Sequence, residues 1–204
     1  MSYNDVLGIV PPQHTGKAIH ADAHIDFDSI AEAKAFYETA KDRLLNVNRW
    51  HEYAGLVSAV FQLFDKGGKE TEEKVADKNF IRVDIPGPGS AAGGGYDWVI
   101  VEEFKTKEDT YADALGFRVR PCANPNGESN SIAHFYDDSA TSSFWVWRSG
   151  KRVKAEIVDH NTKPNDDTSS LIDKIRDTPV AMGAIGMFSK AQWQNLVNGL
   201  VKQG

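Results

Sequence analysis

The 204-residue sequence holds one cysteine, Cys122, so no disulfide can close within the chain and a reducing compartment is the natural setting. It holds no Asn-x-Ser/Thr acceptor for N-glycans. No apolar run approaches the roughly 20 residues that a membrane span needs, so no membrane insertion is expected. Met1 to Pro12 lack a basic start, a long apolar stretch and a small-residue cleavage site, and the expectation is a cytoplasmic protein. Cations are in the minority, with 23 Lys and Arg against 29 Asp and Glu, for a net charge of −6. Nucleic acid and anionic membranes both select a Lys/Arg surplus, so neither is an expected partner. The longest basic cluster, Arg148 to Lys154, is broken by Ser149, Gly150 and Val153 and reads as a hairpin tip. A content of 41% hydrophobic and 25% charged residues excludes a disordered chain and a coiled coil. A core of this size needs no covalent staples.

What is present is mostly period-two alternation. Residues 1–17 carry two prolines and no periodicity, and read as a loose N-terminal arm. From Ala18, the residues Ile19, Ala21, Ala23, Ile25 and Phe27 point one way, and His20, Asp22, His24, Asp26 and Asp28 the other, which is a half-buried strand. Ser29 with Glu32 has capping-box spacing and opens a helix carrying Ile30, Ala33, Phe36, Tyr37, Ala40 and Leu44 on one stripe. A shorter helical piece holds Trp50, Tyr53 and Ala54 and closes at Gly55. Strand patterns then follow at Val57 to Phe64, Phe80 to Ile85, Tyr96 to Phe104, Ala114 to Arg120 and Ile132 to Tyr136. Ser142 to Arg148 and Arg152 to Asp159 complete the set as a hairpin around Gly150. Short connections between successive strands predict an antiparallel meander. At the end, Thr168 to Asp177 has a helical stripe, Pro179 should break it, and Ser189 with Gln192 should open a second helix bearing Trp193, Leu196, Val197 and Leu200.

The expected fold class is α+β: a curved antiparallel sheet of about seven strands, two short helices after the first strand, and a C-terminal helix packed across the sheet. This order, with the segment Val47-Asn48-Arg49-Trp50-His51-Glu52-Tyr53 after the first helix, resembles the START-like superfamily, the helix-grip fold of the birch-pollen-allergen and polyketide-cyclase groups. In that segment His51 stands where the family has proline, and Tyr53 where it has a second tryptophan. The resemblance covers roughly residues 18–204 as a single domain. It implies an apolar cavity between sheet and C-terminal helix, with an apolar or aromatic small molecule as partner, and it identifies no catalytic residues.

The residues themselves offer several chemistries. His20-x-Asp22-x-His24 places two imidazoles and a carboxylate on one strand face, which can suit a metal but equally suits a solvent face; no metal or cofactor is expected. The glycine-rich stretch Gly87 to Gly95 is followed by a strand rather than a helix N-terminus, so it reads as a loop over a cavity mouth and not as a phosphate cradle. Cys122 has no histidine near it in sequence and reads as structural. Glu102 and Glu156 interrupt apolar alternation and are weighed as acids. The aromatic load is the stronger signal. Trp145 and Trp147 share a face while Phe144 and Val146 hold the other, and His134 and Tyr136 add polar tips among apolar neighbours. An apolar space with few convergent polar groups is how small-molecule sites look. The expected ligand-lining residues are Trp50, Tyr53, Trp98, Phe117, His134, Tyr136, Trp145 and Trp147. The expected function is binding or carrying a hydrophobic or aromatic small molecule. The alternatives are a cyclase, dehydratase or hydrolase using the same cavity through His134 or Tyr136, or a co-chaperone-like interaction module.

Overall fold

The computed structural model describes residues 3–55, 59–85, 93–163 and 179–203. The first alternating run forms β1 (Lys17–Asp26), which turns Ala21 and Ala23 to the interior and His20 and Asp22 outward. Ser29 then caps α1 (Ile30–Leu45) reciprocally: its hydroxyl accepts from the Glu32 amide at 3.2 Å and its own amide donates to the Glu32 carboxylate at 3.0 Å. The stripe Ala33, Tyr37, Ala40 and Leu44 is the buried face of that helix. A 3-10 turn at Val47–Arg49 leads into α2 (Trp50–Ala54), which ends at Gly55 with φ 86°, a left-handed conformation that glycine adopts without penalty.

The chain then runs as a meander: β2 (Val60–Phe64), β3 (Phe80–Asp84), β4 (Asp97–Glu108), β5 (Ala112–Pro121), β6 (Thr141–Ser149) and β7 (Arg152–Thr162). All neighbours are antiparallel in the order β1-β7-β6-β5-β4-β3-β2, so among the described strands the only distant pairing is the one that brings β1 beside β7. A bulge between Val101 and Glu103 disturbs β4 and adds to the sheet's curvature. The apolar phase of each strand, for instance Phe117 facing Phe144 across β5 and β6, turns inward under α1 and the C-terminal helix α3 (Pro179–Leu200). This is a helix-grip-like α+β fold.

The structure corrects the sequence reading at several points. Val57 to Phe64 is a strand only from Val60, and residues 56–58 lie outside those described. Ile132 to Tyr136 is not a strand: its backbone is irregular, with the Ala133 amide donating to Cys122 and its carbonyl accepting from Trp98. Ser189 does not open a helix, because α3 runs through it from Pro179. Proline fits that first position, where its fixed φ is helical and no amide donor is required. The stretch Thr168 to Asp177 lies outside the described residues, as do residues 86–92 of the glycine-rich loop.

The N-terminal segment is not a loose arm. Ile9 is fully buried against Trp145 and Val158 on the sheet's outer face, with Leu7 and Val10 beside it. Side chains rather than a strand ladder hold it there. The Asp5 carboxylate accepts from the Ile9 and Val10 amides, and Arg118 Nη1 donates to the Ile9 carbonyl at 2.8 Å. Farther along, the Asn161 side chain accepts from the His14 amide at 2.6 Å and donates to Pro12.

Candidate functional site

Two of the expected ligand-lining aromatics fill the middle of the interior. Trp50 lies 4.9 Å from Phe144 and 5.1 Å from Phe61, ring centroid to centroid, and Phe117 stacks 5.4 Å from Phe144. The only polar atom of Trp50, its indole nitrogen, donates to the Leu44 carbonyl at 3.1 Å. Nothing polar is left over here, and the cluster is packed core.

Three others lie on the opposite face of the sheet, away from α3. Trp145 is buried beneath the N-terminal segment, and Trp147 beside it donates to Glu156 at 3.0 Å. Trp98 packs with Phe64 and Ala133 in a separate outer cluster. The reason is strand phase: Phe144 and Val146 take the inward positions, so Trp145 and Trp147 must face out. The two weighed acids go with them. Glu156 is buried between Trp147, His20 Nε2 at 3.2 Å and Lys154 Nζ at 3.3 Å. Glu102 is held by Arg118 and Arg120, whose hydrogen bonds keep its carboxyl below the usual range against the opposing effect of burial. With His20 committed to Glu156, Asp22 near Lys154 and Asp26 paired to Arg152, no three His, Cys, Asp or Glu are grouped to hold a metal ion among the described residues. Cys122 is half-buried, and burial pushes its thiol up to about 12, which suits an unreactive packing residue.

Tyr53 lines a cleft of about 650 Å³ between β1, α2 and the end of α3, with His24, Asn195, Asn198 and Lys202. The cleft is open to solvent.

The remaining two, His134 and Tyr136, stand where the inner face becomes polar. Here β4 begins and β5 and β7 end, and α3 crosses with Ser189 and Trp193. Asp97 and Asp159 occupy inward strand positions and are 5% and 2% exposed. Asp97 Oδ2 accepts from the Phe135 amide at 3.2 Å and lies 3.8 Å from His134 Nε2. Asp159 Oδ2 accepts from the Trp193 indole at 2.7 Å. Its other oxygen, Oδ1, is buried without a hydrogen-bond partner. The Ser142 hydroxyl, directly opposite on β6, eases the charge but completes no well-aligned bond to Oδ1. Burial therefore raises the Asp159 carboxyl to about 6, against the opposing pull of Ser142 and Trp193. Burial, then the charge of Asp159, pushes the Tyr136 phenol up to about 12, with Ser189 acting the other way and Asp97 adding to the rise. Burial holds His134 below the ordinary imidazole range despite Asp97.

The site thus gathers a neutral imidazole, a neutral phenol and a carboxyl raised to about 6, beside Trp193, whose ring packs 5.3 Å from Phe144 and 6.2 Å from Phe61. The sequence reading singles out His134 and Tyr136 but passes over Asp97, Asp159, Ser142 and the polar role of Trp193, which the structure places at the same end of the interior. The signal for the aspartates was there. Asp159 continues the inward phase Val153, Ala155, Ile157, and Asp97 begins the phase Val99, Val101.

No protein-family model matches the sequence, and no curated protein matches it. Among solved structures, the hypothetical protein jhp0584 from Helicobacter pylori aligns over 96% of this chain and 98% of its own, with 13% identity and a TM-score of 0.52. Ara h 8.0201 aligns over 88% of this chain and 99% of its own, with 11% identity and a TM-score of 0.30. A protein from Arthrobacter aurescens aligns over 89% and 86%, with 11% identity and a TM-score of 0.36. The last two are too distant to argue from, and the Helicobacter likeness is one of fold alone, which by itself carries no function.

Proposed function

We propose that this protein binds a small, largely apolar or aromatic molecule at the polar end of its interior, anchored by Asp159 with Tyr136 and His134 beside it. The observation that carries this reading is Asp159 Oδ1: a buried carboxylate oxygen, beside the Trp193 indole, that completes no hydrogen bond. Leaving such an acceptor unmet costs about 1–3 kcal/mol, which a ligand donor would recover. The test is native mass spectrometry of the purified protein against its denatured mass, with a thermal-shift panel of aromatic compounds. Mass retained only in the native spectrum, or a shift abolished by Asp159→Asn, supports the reading. A native mass equal to the denatured one, together with an unresponsive panel, refutes it.

A second reading is acid–base catalysis at the same place, favoured by the burial of Asp159 with Oδ1 unpartnered, which raises its carboxyl to about 6, close to the operating pH of a general base. A bound compound recovered chemically unchanged after long incubation argues for binding alone; a turned-over product argues for the enzyme.

A further inference from the structure

Resting on that binding site, we propose that its ligand class is a protonated amine carried on an aromatic or apolar body, and not a fatty or aromatic acid. Asp159 is 2% exposed and leaves Oδ1 unbonded, and the second carboxylate, Asp97, stands at the same end of the inner face. The neighbours that ease the Asp159 charge are a hydroxyl, Ser142, and an indole, Trp193; among the described residues no lysine or arginine does so. Among the described residues, negative charge thus stands buried beside an indole without a counter-ion. An ammonium group supplies what is missing on both counts: a donor for Oδ1 and a compensating charge. The rings of Trp193 and Phe144, edge to face at 5.3 Å, add a surface that attracts cations as well as apolar bodies. A carboxylate ligand would meet two like charges here, and a neutral alcohol or a water would satisfy the hydrogen bond but leave the charge uncompensated.

The experiment titrates three probes of matched size into the whole chain, followed by tryptophan fluorescence and calorimetry: phenethylamine, phenethyl alcohol and 3-phenylpropanoate. The expected result is that the amine binds at least about tenfold more tightly than the alcohol, that the acid does not bind, and that Asp159→Asn reduces the amine to the level of the alcohol. If the alcohol or the acid matches the amine, the amine inference is overturned while the binding site stands. If none of the three binds, as when Oδ1 holds only a water, both fall. The comparison of probes uses the unaltered chain, so it decides even where the variant does not fold.

Discussion

The Trp193 indole on α3 donates to Asp159 on β7 at 2.7 Å, so a carboxylate buried in the sheet depends on the docking of the C-terminal helix. One contact thereby joins the two layers of the fold at the end where the interior is polar. Its energetics can be read from either side of the hydrogen bond.

From the side of the carboxylate, the reading is a pH dependence. Asp159 titrates at about 6 when folded, against an ordinary 3.8. Its folded-state value is raised, so between those values the folded protein keeps a proton that the unfolded chain has lost. Stability from this group is thus intact at low pH, falls as pH climbs between the two values, and stays reduced above about 6. The full penalty is on the order of 2–3 kcal/mol. Urea unfolding of the wild type and of Asp159→Asn at about pH 4 and about pH 8 should show the variant gaining on the wild type only at the higher pH. Parallel stabilities at both would mean that the carboxyl is not desolvated as described.

From the side of the indole, Trp193→Phe keeps an aromatic ring near Phe61 and Phe144 but removes the donor together with part of the ring system, so only the coupling to Asp159 isolates the hydrogen bond. Asp159 would then have neither oxygen bonded by α3. The expected loss is about 1–3 kcal/mol near neutral pH. It should shrink when Asp159 is already asparagine, and a double-mutant cycle by chemical denaturation measures that coupling. Additive losses would show that the bond contributes nothing.

How far this was legible in the sequence follows from where each signal is written. The strands, α1 and its Ser29–Glu32 cap are encoded by local periodicity and spacing, and these elements appear within a few residues of where the pattern puts them. Ile132, His134 and Tyr136 imitate a strand by alternation, yet that backbone is held instead by bonds to Cys122, Trp98 and Asp97, which no local pattern records. Arg148 looked like a solvated hairpin tip but shares the inward phase of Phe144 and Val146, and it is buried against Asp113 at 2.8 Å. The inward aspartates were overlooked for a related reason. A polar residue at the end of an apolar phase looks like the end of the strand.

The N-terminal segment gives a third prediction. Asp5 folds the segment on itself, and its hold on the sheet comes from Ile9 with its apolar neighbours and from bonds that Arg118 and Ser143 make to the Ile9 carbonyl, so it carries no periodicity of its own. Ile9→Ala removes a fully buried side chain and should cost about 2–5 kcal/mol in urea unfolding. It should also shift tryptophan emission to the red, because Trp145 lies directly beneath. Unchanged stability and emission would mean that the segment does not dock in solution.

Gly199 on α3 sets two effects against each other. In an exposed helix interior, glycine to alanine gains about 1 kcal/mol from backbone entropy. Here, however, an added Cβ would overlap the Tyr53 carbonyl and fall 2.7 Å from its carbonyl carbon and 2.9 Å from its Cβ. The first obstacles are backbone atoms of α2, which cannot swing aside as a side chain can. The Gly199 carbonyl also accepts from Arg43 Nη1 at 3.1 Å, with Leu200 and Lys202 bound to the same guanidinium, so α1 restrains the helix from retreating. Overpacking of this kind costs about 1–3 kcal/mol or more and outweighs the propensity gain. Gly199→Ala should therefore lower the melting temperature, and an increase would show that α2 and α3 are free to part.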